Sequence, residues 1–402
     1  MSSLAWLDFS ESDRQTALDV IDLFREKGTV DELGIGTVRD AIADLLFPGT
    51  STIMTRARYY LFIPWIYRRH EGKKTPSNEI ANSARKDELA VIEALAKTTD
   101  LRGVIGIEAR ANLKRLPSTI YWQGLGQLGI RRYPGAQDGY HRALDAFYKN
   151  GRSVVRGDDG HAVMGGRLCN WDPELPPAPV GFPRTATLQL EKTEAEYLRE
   201  RIILSAPASL FAFFADRLVD VSKIAFPWEH PLLAQMPSMN RSELDHARNF
   251  SETMHGAALL YNLMLAEKKQ DEKRIQEYTD LFFAWANGLL ARMAELEAWS
   301  RPDFWDLVRA TGARIGLATP AFINTWLGQA IGKNPGSLSA SKTARQLITQ
   351  REHNLKGPLA RLGNVRALDL WGGASSSGRL DYRWNRPVKA MLADLRSALG
   401  DA

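Results

Sequence analysis

Residues 246–266 read HARNFSETMHGAALLYNLMLA, and residues 275–296 read IQEYTDLFFAWANGLLARMAEL. In both stretches large apolar side chains recur every three or four residues, which is the period of an amphipathic α-helix. Each stretch is therefore predicted to be a long helix that buries one face, and together they predict a mainly α fold class. The two apolar stripes consist of Phe250, Met254, Ala257, Ala258, Tyr261 and Leu265, and of Ile275, Tyr278, Phe282, Trp285, Leu289, Met293 and Leu296.

Shorter segments with the same period occur elsewhere in the chain. The hydroxyls of residues 50–52 are suited to capping the start of a helix. Thr193, followed three residues later by Glu196, fits a capping box at another helix start. The further helices predicted from periodicity lie at 11–26, 33–46, 87–97 and 118–128.

One stretch departs from the helical period. Residues 153–164, SVVRGDDGHAVM, place β-branched residues on either side of a turn-forming tetrad, which predicts a small β-hairpin. Residues 165–187 follow with five prolines and no period, so they are predicted to form a linker. The expected organisation is therefore two helical domains, residues 1–164 and residues 188–402, joined by this Pro/Gly-rich linker.

The composition is that of a globular protein. Of the 402 residues, 44% are hydrophobic and 25% are charged, which excludes a disordered chain, a collagen and a disulfide scaffold. The single cysteine, Cys169, cannot form an internal disulfide. The start of the chain does not resemble a signal peptide, and the longest apolar runs, at 59–67 and 257–266, are too short to span a membrane. We therefore expect a cytoplasmic protein with no membrane contact.

The positive charge is strongly segregated along the chain. Residues 56–74 hold six basic side chains and one acidic, residues 100–156 hold ten and four, and residues 340–389 hold ten and three. The net charge of the whole chain is only +5, so the remaining residues are collectively acidic. Segregated basic stretches are typical of a nucleic-acid surface.

Tyrosine and tryptophan residues are interleaved with these basic stretches. Lys and Arg neutralise phosphates and aromatic rings stack on exposed bases, so the combination predicts nucleic-acid binding. Two other interpretations stay open: the rings belong to the core and the charges are merely solvated, or the basic surface docks an acidic protein. The residues predicted to contact nucleic acid are Arg56, Arg58, Lys114, Arg115, Tyr121, Trp122, Arg131, Arg132, Arg379, Arg383 and Trp384.

The second basic stretch has the element order of a winged helix-turn-helix. A supporting helix at 87–97, a second helix at 105–113 and a turn at 114–117 precede a helix capped by Ser118, and a basic extended segment follows at 129–133. In such a domain the third helix enters the major groove of DNA. Many helical hairpins share this order, so the pattern by itself does not define the domain.

The sequence contains no recognisable catalytic constellation. Its seven histidines are scattered, and Glu252 with His255 forms a single Glu-x-x-His pair, whereas di-iron bundles use two such pairs. Cys169 lacks a plausible paired base. We therefore assign no catalytic residue, no metal ligand and no cofactor. The Gly/Ser-rich residues 371–378 are compatible with a phosphate-binding nest of backbone N–H groups or with a plain flexible loop.

Four stretches carry a resemblance to a known family. They read DELGIGTVRDAIADLLFPGTSTIMTRARYYLFIPWIYRR at 31–69, LKRLPSTIYWQGLGQLGIRR at 113–132, HARNFSETMHGAALLYN at 246–262 and LARLGNVRALDLWGGASSSGRLDYRW at 359–384. Spread over most of the chain, they resemble the bacterial domain-of-unknown-function family numbered 6361. The resemblance implies a bacterial protein encoded among antiviral-defence genes, beside helicases and phospholipase-D-like nucleases. It carries over no catalytic residue.

The expected function is that of a non-catalytic nucleic-acid-binding component of a bacterial antiphage system. Such a protein would recognise or hold DNA for an enzymatic partner, a helicase or nuclease subunit of the same system. The first alternative is a scaffold that docks an acidic partner protein, and the second is a metal-dependent nuclease. The form of nucleic acid and the oligomeric state stay open at this point.

Overall fold

The computed structural model of the chain describes residues 31–150, 169–332, 334–376 and 378–400. Fifteen α-helices lie within these ranges, so the predicted mainly α fold class is confirmed. Their bounds are α1 (Gly36–Leu46), α2 (Tyr59–Lys73), α3 (Ile80–Leu95), α4 (Pro117–Gln127), α5 (Gln137–Asn150), α6 (Lys192–Ser205), α7 (Leu210–Arg217), α8 (Ser238–Lys269), α9 (Glu272–Leu290), α10 (Met293–Glu297), α11 (Arg301–Ala310), α12 (Ala318–Ala330), α13 (Lys342–Lys356), α14 (Val365–Asp369) and α15 (Lys389–Leu399).

β-Structure is scarce in the described ranges. It amounts to one isolated antiparallel bridge, between Arg131 and Trp171. The predicted hairpin at 153–164 and the predicted helix at 11–26 both lie outside the described residues. Among the helices that the structure describes, none is long and apolar enough to cross a lipid bilayer.

The chain divides into two compact units, each built from separate stretches of sequence. Of the described residues, those within 31–40 and 246–380 form the first unit, and those within 41–245 and 381–400 form the second. The described part of the predicted linker, 169–187, therefore lies within the second unit, in which α15 packs against α6 and α7. A functional division of the chain at that linker stays a prediction.

The described part of the predicted linker is anchored in the second unit. Trp171 is buried there, and so is the carboxylate of Asp172. Asp172 accepts hydrogen bonds from Arg132 Nη2 at 2.9 Å, from Tyr197 Oη at 3.0 Å and from Arg201 Nη1 at 2.9 Å. The prolines remove any regular period, but these side chains hold the segment against its neighbours.

The core of the first unit contains the two predicted helices as α8 and α9. Every member of the two apolar stripes is buried except Ile275 and Met293, which are half-buried. The Trp285 indole lies against Gly256 of α8, and its Nε1 donates to the Glu252 carbonyl oxygen at 2.8 Å. A Cβ at position 256 would lie 2.1 Å from that indole, so glycine is required for this close approach.

The core of the second unit is formed by α2, whose residues 59–67 are all buried. Helices α3 and α4 both pack against α2. Gly124 allows α4 to lie close to the turn after α1. Any other residue would place a Cβ 2.2 Å from the Gly49 carbonyl oxygen. The same carbonyl accepts a hydrogen bond from Tyr60 Oη at 2.5 Å.

Two predicted helix starts are wrong. The helix after residues 50–52 begins only at Tyr59, so their hydroxyls do not cap it. Helix α6 begins two residues earlier than predicted, and the Glu191 N–H donates to Glu194 Oε2 at 3.0 Å in place of the expected Thr193 and Glu196 pair.

The helix predicted at 105–113 is also wrong. The structure has turns there, ending in a single 3₁₀ turn at Arg110–Asn112. Gly103, Gly106 and Arg110 all have positive φ, a backbone conformation that an α-helix does not contain. Because the middle helix of the three is missing, the winged helix-turn-helix is not confirmed.

Candidate nucleic-acid interface

The aromatic side chains predicted to stack on bases are core residues. Tyr121 Oη accepts a hydrogen bond from the Thr55 N–H at 2.8 Å, and Trp122 Nε1 donates to the Gly135 carbonyl at 3.0 Å. Trp384 is fully buried and stacks on Phe47 with 6.0 Å between ring centroids. The folded protein therefore offers none of these three faces to a base.

Two of the predicted arginines are buried in ion pairs within the second unit. Arg58 Nη2 lies 2.6 Å from Glu194 Oε1, and its Nη1 donates to the Thr187 hydroxyl at 2.6 Å. Arg383 Nη1 lies 2.6 Å from Asp44 Oδ1. Both guanidinium groups hold separate segments of the unit together, so they are not available to a ligand in the folded state.

Arg131 and Arg132 are adjacent in sequence but differ in environment. Arg131 is buried, with its Cζ 4.8 Å from the centroid of the Trp122 ring and its Nε donating to the Trp122 carbonyl at 3.2 Å. Burial lowers the pKa of the Arg131 guanidinium. The Arg132 side chain is half exposed, although it pairs with Asp172. Of this pair, Arg132 alone reaches solvent substantially.

Arg379 belongs to an arginine cluster in the first unit. Its Nη2 lies 2.8 Å from Glu252 Oε1, and Arg248 Nε lies 3.1 Å from the same oxygen. Arg292 pairs with the other carboxylate oxygen and with Glu295. The Glu-x-x-His pattern thus places its glutamate among guanidinium groups. In the described ranges no three His, Cys, Asp or Glu residues lie close enough together to hold a metal ion.

Gly373 and Ser375, in the Gly/Ser-rich stretch 371–378, are anchored to α9 and α8. The Ser375 N–H donates to Asn262 Oδ1 at 2.8 Å, and its carbonyl accepts from Asn262 Nδ2 at 2.7 Å. Tyr278 Oη donates to the Gly373 carbonyl at 2.8 Å. The Ser375 amide is thus already used inside the first unit, which weakens the interpretation of this loop as a phosphate-binding nest.

Four further basic side chains of the second unit are exposed. Lys114 and Arg115 are exposed in the turn before α4. Arg102 and Arg386 are exposed as well, and both line a cleft of about 490 Å³. The other residues that line this cleft are Thr55, Arg56, Asp100, Gly103, Asn385, Ala390, Ala393 and Asp394.

Arg56 forms the charged floor of this cleft. Its Nε lies 2.9 and 3.0 Å from the two carboxylate oxygens of Asp394, and its Nη1 lies 2.8 Å from Asp100 Oδ2. Nη1 also donates to the Arg102 carbonyl at 3.0 Å. These bonds fix the floor. The outer groups that an incoming anion meets are Arg386 and Arg102, whose Nε also lies 3.6 Å from Asp100 Oδ1.

The two carboxylates in the cleft differ in their surroundings. The hydrogen bond from Arg56 lowers the pKa of Asp100, which is 44% exposed. Burial raises the pKa of Asp394, although Arg56 and the Ala57 N–H both donate to it. Asp100 is therefore the carboxylate of the two that is in reach of solvent.

The residues predicted from sequence include Arg56, at the floor of this cleft, but neither of the exposed arginines at its rim, Arg102 and Arg386. Arg56 was among the predicted contacts, whereas Arg102 and Arg386 lie in the basic stretches 100–156 and 340–389 without a distinguishing motif. The available signal was the charge segregation itself. It could not show that Asp394, which is 338 residues from Arg56, neutralises the predicted arginine.

The fold and the cleft together define a mainly α-helical protein with an arginine-lined surface site. The chain belongs to a family of unknown function, DUF6361, whose sequence model matches residues 1–398. The resemblance found in the sequence is thereby confirmed over nearly the whole chain. No curated protein and no solved structure matches the chain.

Proposed function

We propose that the protein binds nucleic acid without performing chemistry, and that it holds DNA through phosphate contacts in the cleft of the second unit. The observation that carries the proposal is the pair of exposed arginines, Arg102 and Arg386, on two separate segments of one concave site. Guanidinium groups form paired, charge-assisted hydrogen bonds with phosphate oxygens. Phosphate contacts position DNA but carry no direct sequence information.

This mode of binding differs from the one suggested by the sequence. Because Tyr121, Trp122 and Trp384 are buried, base stacking on them does not contribute. Affinity then depends chiefly on phosphate neutralisation, which salt weakens strongly. The setting in a bacterial antiphage system, beside a helicase or nuclease partner, is part of the same proposal and rests on what the family resemblance implies.

The test is a salt series of DNA binding with a double substitution, Arg102→Ala with Arg386→Ala. Each neutralised phosphate contributes about −0.9 to the slope of log K against log salt on duplex DNA and about −0.7 on single strands. The double variant should therefore flatten the slope by roughly 1.4–1.8. Both side chains are exposed, so the fold should persist, and circular dichroism checks this.

The matched control replaces Arg184 and Arg241 by alanine. Both are exposed residues of the second unit that do not line the cleft. This control should keep the slope of the wild-type protein. If the wild-type protein shows no salt-sensitive binding to single- or double-stranded DNA, the proposal fails.

A second candidate function is a scaffold that docks an acidic partner protein. The observation that favours it is the burial of the aromatic residues, because exposed charge without stacking rings suits carboxylates as well as phosphates. Competition separates the two functions. The two ligands are compared at matched concentrations of negative charge. If the acidic protein displaces DNA only when its carboxylates equal or outnumber the DNA phosphates, DNA is the better ligand.

A further inference from the structure

We infer that the cleft of the second unit binds the terminal phosphomonoester of a nucleic-acid strand. The inference rests on the proposed function and assigns a ligand class to its site. It is carried by the size of the cleft, by the number of its exposed guanidinium groups and by the chemistry of its remaining walls.

The size of the cleft limits what can enter it. A volume of about 490 Å³ falls in the range of pockets that take small molecules, about 300–1,000 Å³. Such a space holds about one nucleotide, whereas a duplex is far wider than the site. A strand end can enter the cleft between Arg102 and Arg386, whereas a duplex is too wide to enter and meets these side chains only from outside.

The charge of the cleft fits a terminal phosphate better than an internal one. Arg56 is already engaged by Asp394, Asp100 and the Arg102 carbonyl. The groups left for a ligand are Arg386 and the highly exposed Arg102, whose Nε lies 3.6 Å from Asp100 Oδ1. A phosphomonoester carries about −1.5 to −2 charges at pH 7, whereas an internal diester carries a single negative charge. Two exposed guanidinium groups therefore match the terminal group.

The remaining walls suit one nucleotide. Ala390 and Ala393 of α15 provide small apolar contacts beside the charged floor. Asp100 is partly exposed and, as an ionised carboxylate, can only accept hydrogen bonds. An exocyclic amine of the terminal base is a suitable donor for it, so the cleft offers a place for the phosphate and for the nucleotide attached to it.

The experiment compares single-stranded DNAs of one sequence on the full-length protein at one salt concentration. The linear strands carry a 5′ phosphate, a 3′ phosphate or only hydroxyl ends, and the fourth strand is circular. We expect one phosphorylated linear strand to bind at least tenfold more tightly than the circular strand. A nucleoside monophosphate with the same phosphate position should compete for it.

Substitutions link this preference to the cleft. Arg102→Ala with Arg386→Ala should remove the tenfold advantage, whereas Arg184→Ala with Arg241→Ala should retain it. Equal binding of circular and phosphorylated linear strands, with a normal salt slope, overturns the end-recognition inference and leaves the proposed function intact. Absence of binding to all four strands overturns the inference, and absence of binding to duplex DNA as well overturns the proposed function too.

Discussion

At the scale of single residues, most of the basic side chains predicted to contact nucleic acid form ion pairs or hydrogen bonds within the protein. Arg58 pairs with Glu194, Arg383 pairs with Asp44, and both guanidinium groups are buried. The acidic partners lie outside the basic stretches. Positive and negative residues are therefore segregated along the sequence but are paired in the folded protein. A buried charge left without its partner is strongly destabilising.

The Arg58 pair gives the first prediction. Arg58→Ala leaves the Glu194 carboxylate buried and unpaired, so it should lower the free energy of unfolding by about 3–5 kcal/mol. Arg115→Ala, at an exposed position, should change it by less than about 0.5 kcal/mol. Chemical denaturation measures both. An Arg58→Ala protein of normal stability that has lost DNA binding would show that Arg58 is a ligand contact after all.

A second prediction concerns Glu88, a buried carboxylate that accepts hydrogen bonds from the Ser118 N–H at 2.8 Å and from Ser118 Oγ at 2.7 Å. Burial raises its pKa to about 7, and the Ser118 bonds only partly oppose this. Between pH 4.5 and 7 the folded state therefore binds more protons than the unfolded state. The contribution of Glu88 to stability is largest below pH 4.5 and falls, by roughly 3 kcal/mol, as the pH rises to 7.

The test of this sign uses Glu88→Gln, which cannot titrate. The stability of this variant relative to the wild-type protein should rise from pH 4.5 to pH 7 and then level off. Denaturant unfolding at several pH values measures the difference. A difference that is independent of pH, or that falls with pH, would contradict the raised pKa of Glu88.

At the scale of elements, periodicity predicted the long helices and failed where backbone conformation decided the outcome. The apolar stripes of α8 and α9 are visible in sequence because burial selects one face of each helix. The segment 105–113 has a similar apolar content, but the positive φ at Gly106 and Arg110 prevents a helix. The start of α2 at Tyr59 is set by tertiary contacts, such as Tyr121 with Thr55, that no local pattern encodes.

The contact between α8 and α9 gives the third prediction. Trp285→Ala should cost about 3–5 kcal/mol as the loss of a large buried ring. Gly256→Ala should cost about 1–3 kcal/mol, because its Cβ would collide with the Trp285 indole. In the double variant the indole is absent and the collision is gone. Gly256→Ala should therefore cost much less in the Trp285→Ala background than in the wild-type protein. Additive costs in denaturant unfolding would mean that these residues do not touch.

At the scale of the whole molecule, the order of the chain does not match the order of its compact units. The sequence suggested a break at 165–187, yet the stretches on both sides of it belong to the second unit. Arg201, beyond the break, binds Asp172 within it, and Arg58, before the break, binds Glu194 beyond it. Contacts between distant positions of the chain cannot be read from local composition.

Limited proteolysis tests this organisation. Val180 is 98% exposed, so a protease should cut near it, in line with the Pro/Gly-rich composition. The two fragments should nevertheless remain together in gel filtration, because both contribute to the second unit. Fragments that separate under native conditions would show that residues 165–187 join two independent domains.

Photo-crosslinking tests the central claim, that the cleft of the second unit contacts nucleic acid. A single strand with a photoreactive nucleotide at its phosphorylated end is bound to the full-length protein, irradiated and mapped by mass spectrometry. We expect adducts on the peptides that hold residues 99–103 and 385–394, the two walls of the cleft. Adducts confined to residues 119–123 or 371–379, with none on the cleft walls, would contradict the claim.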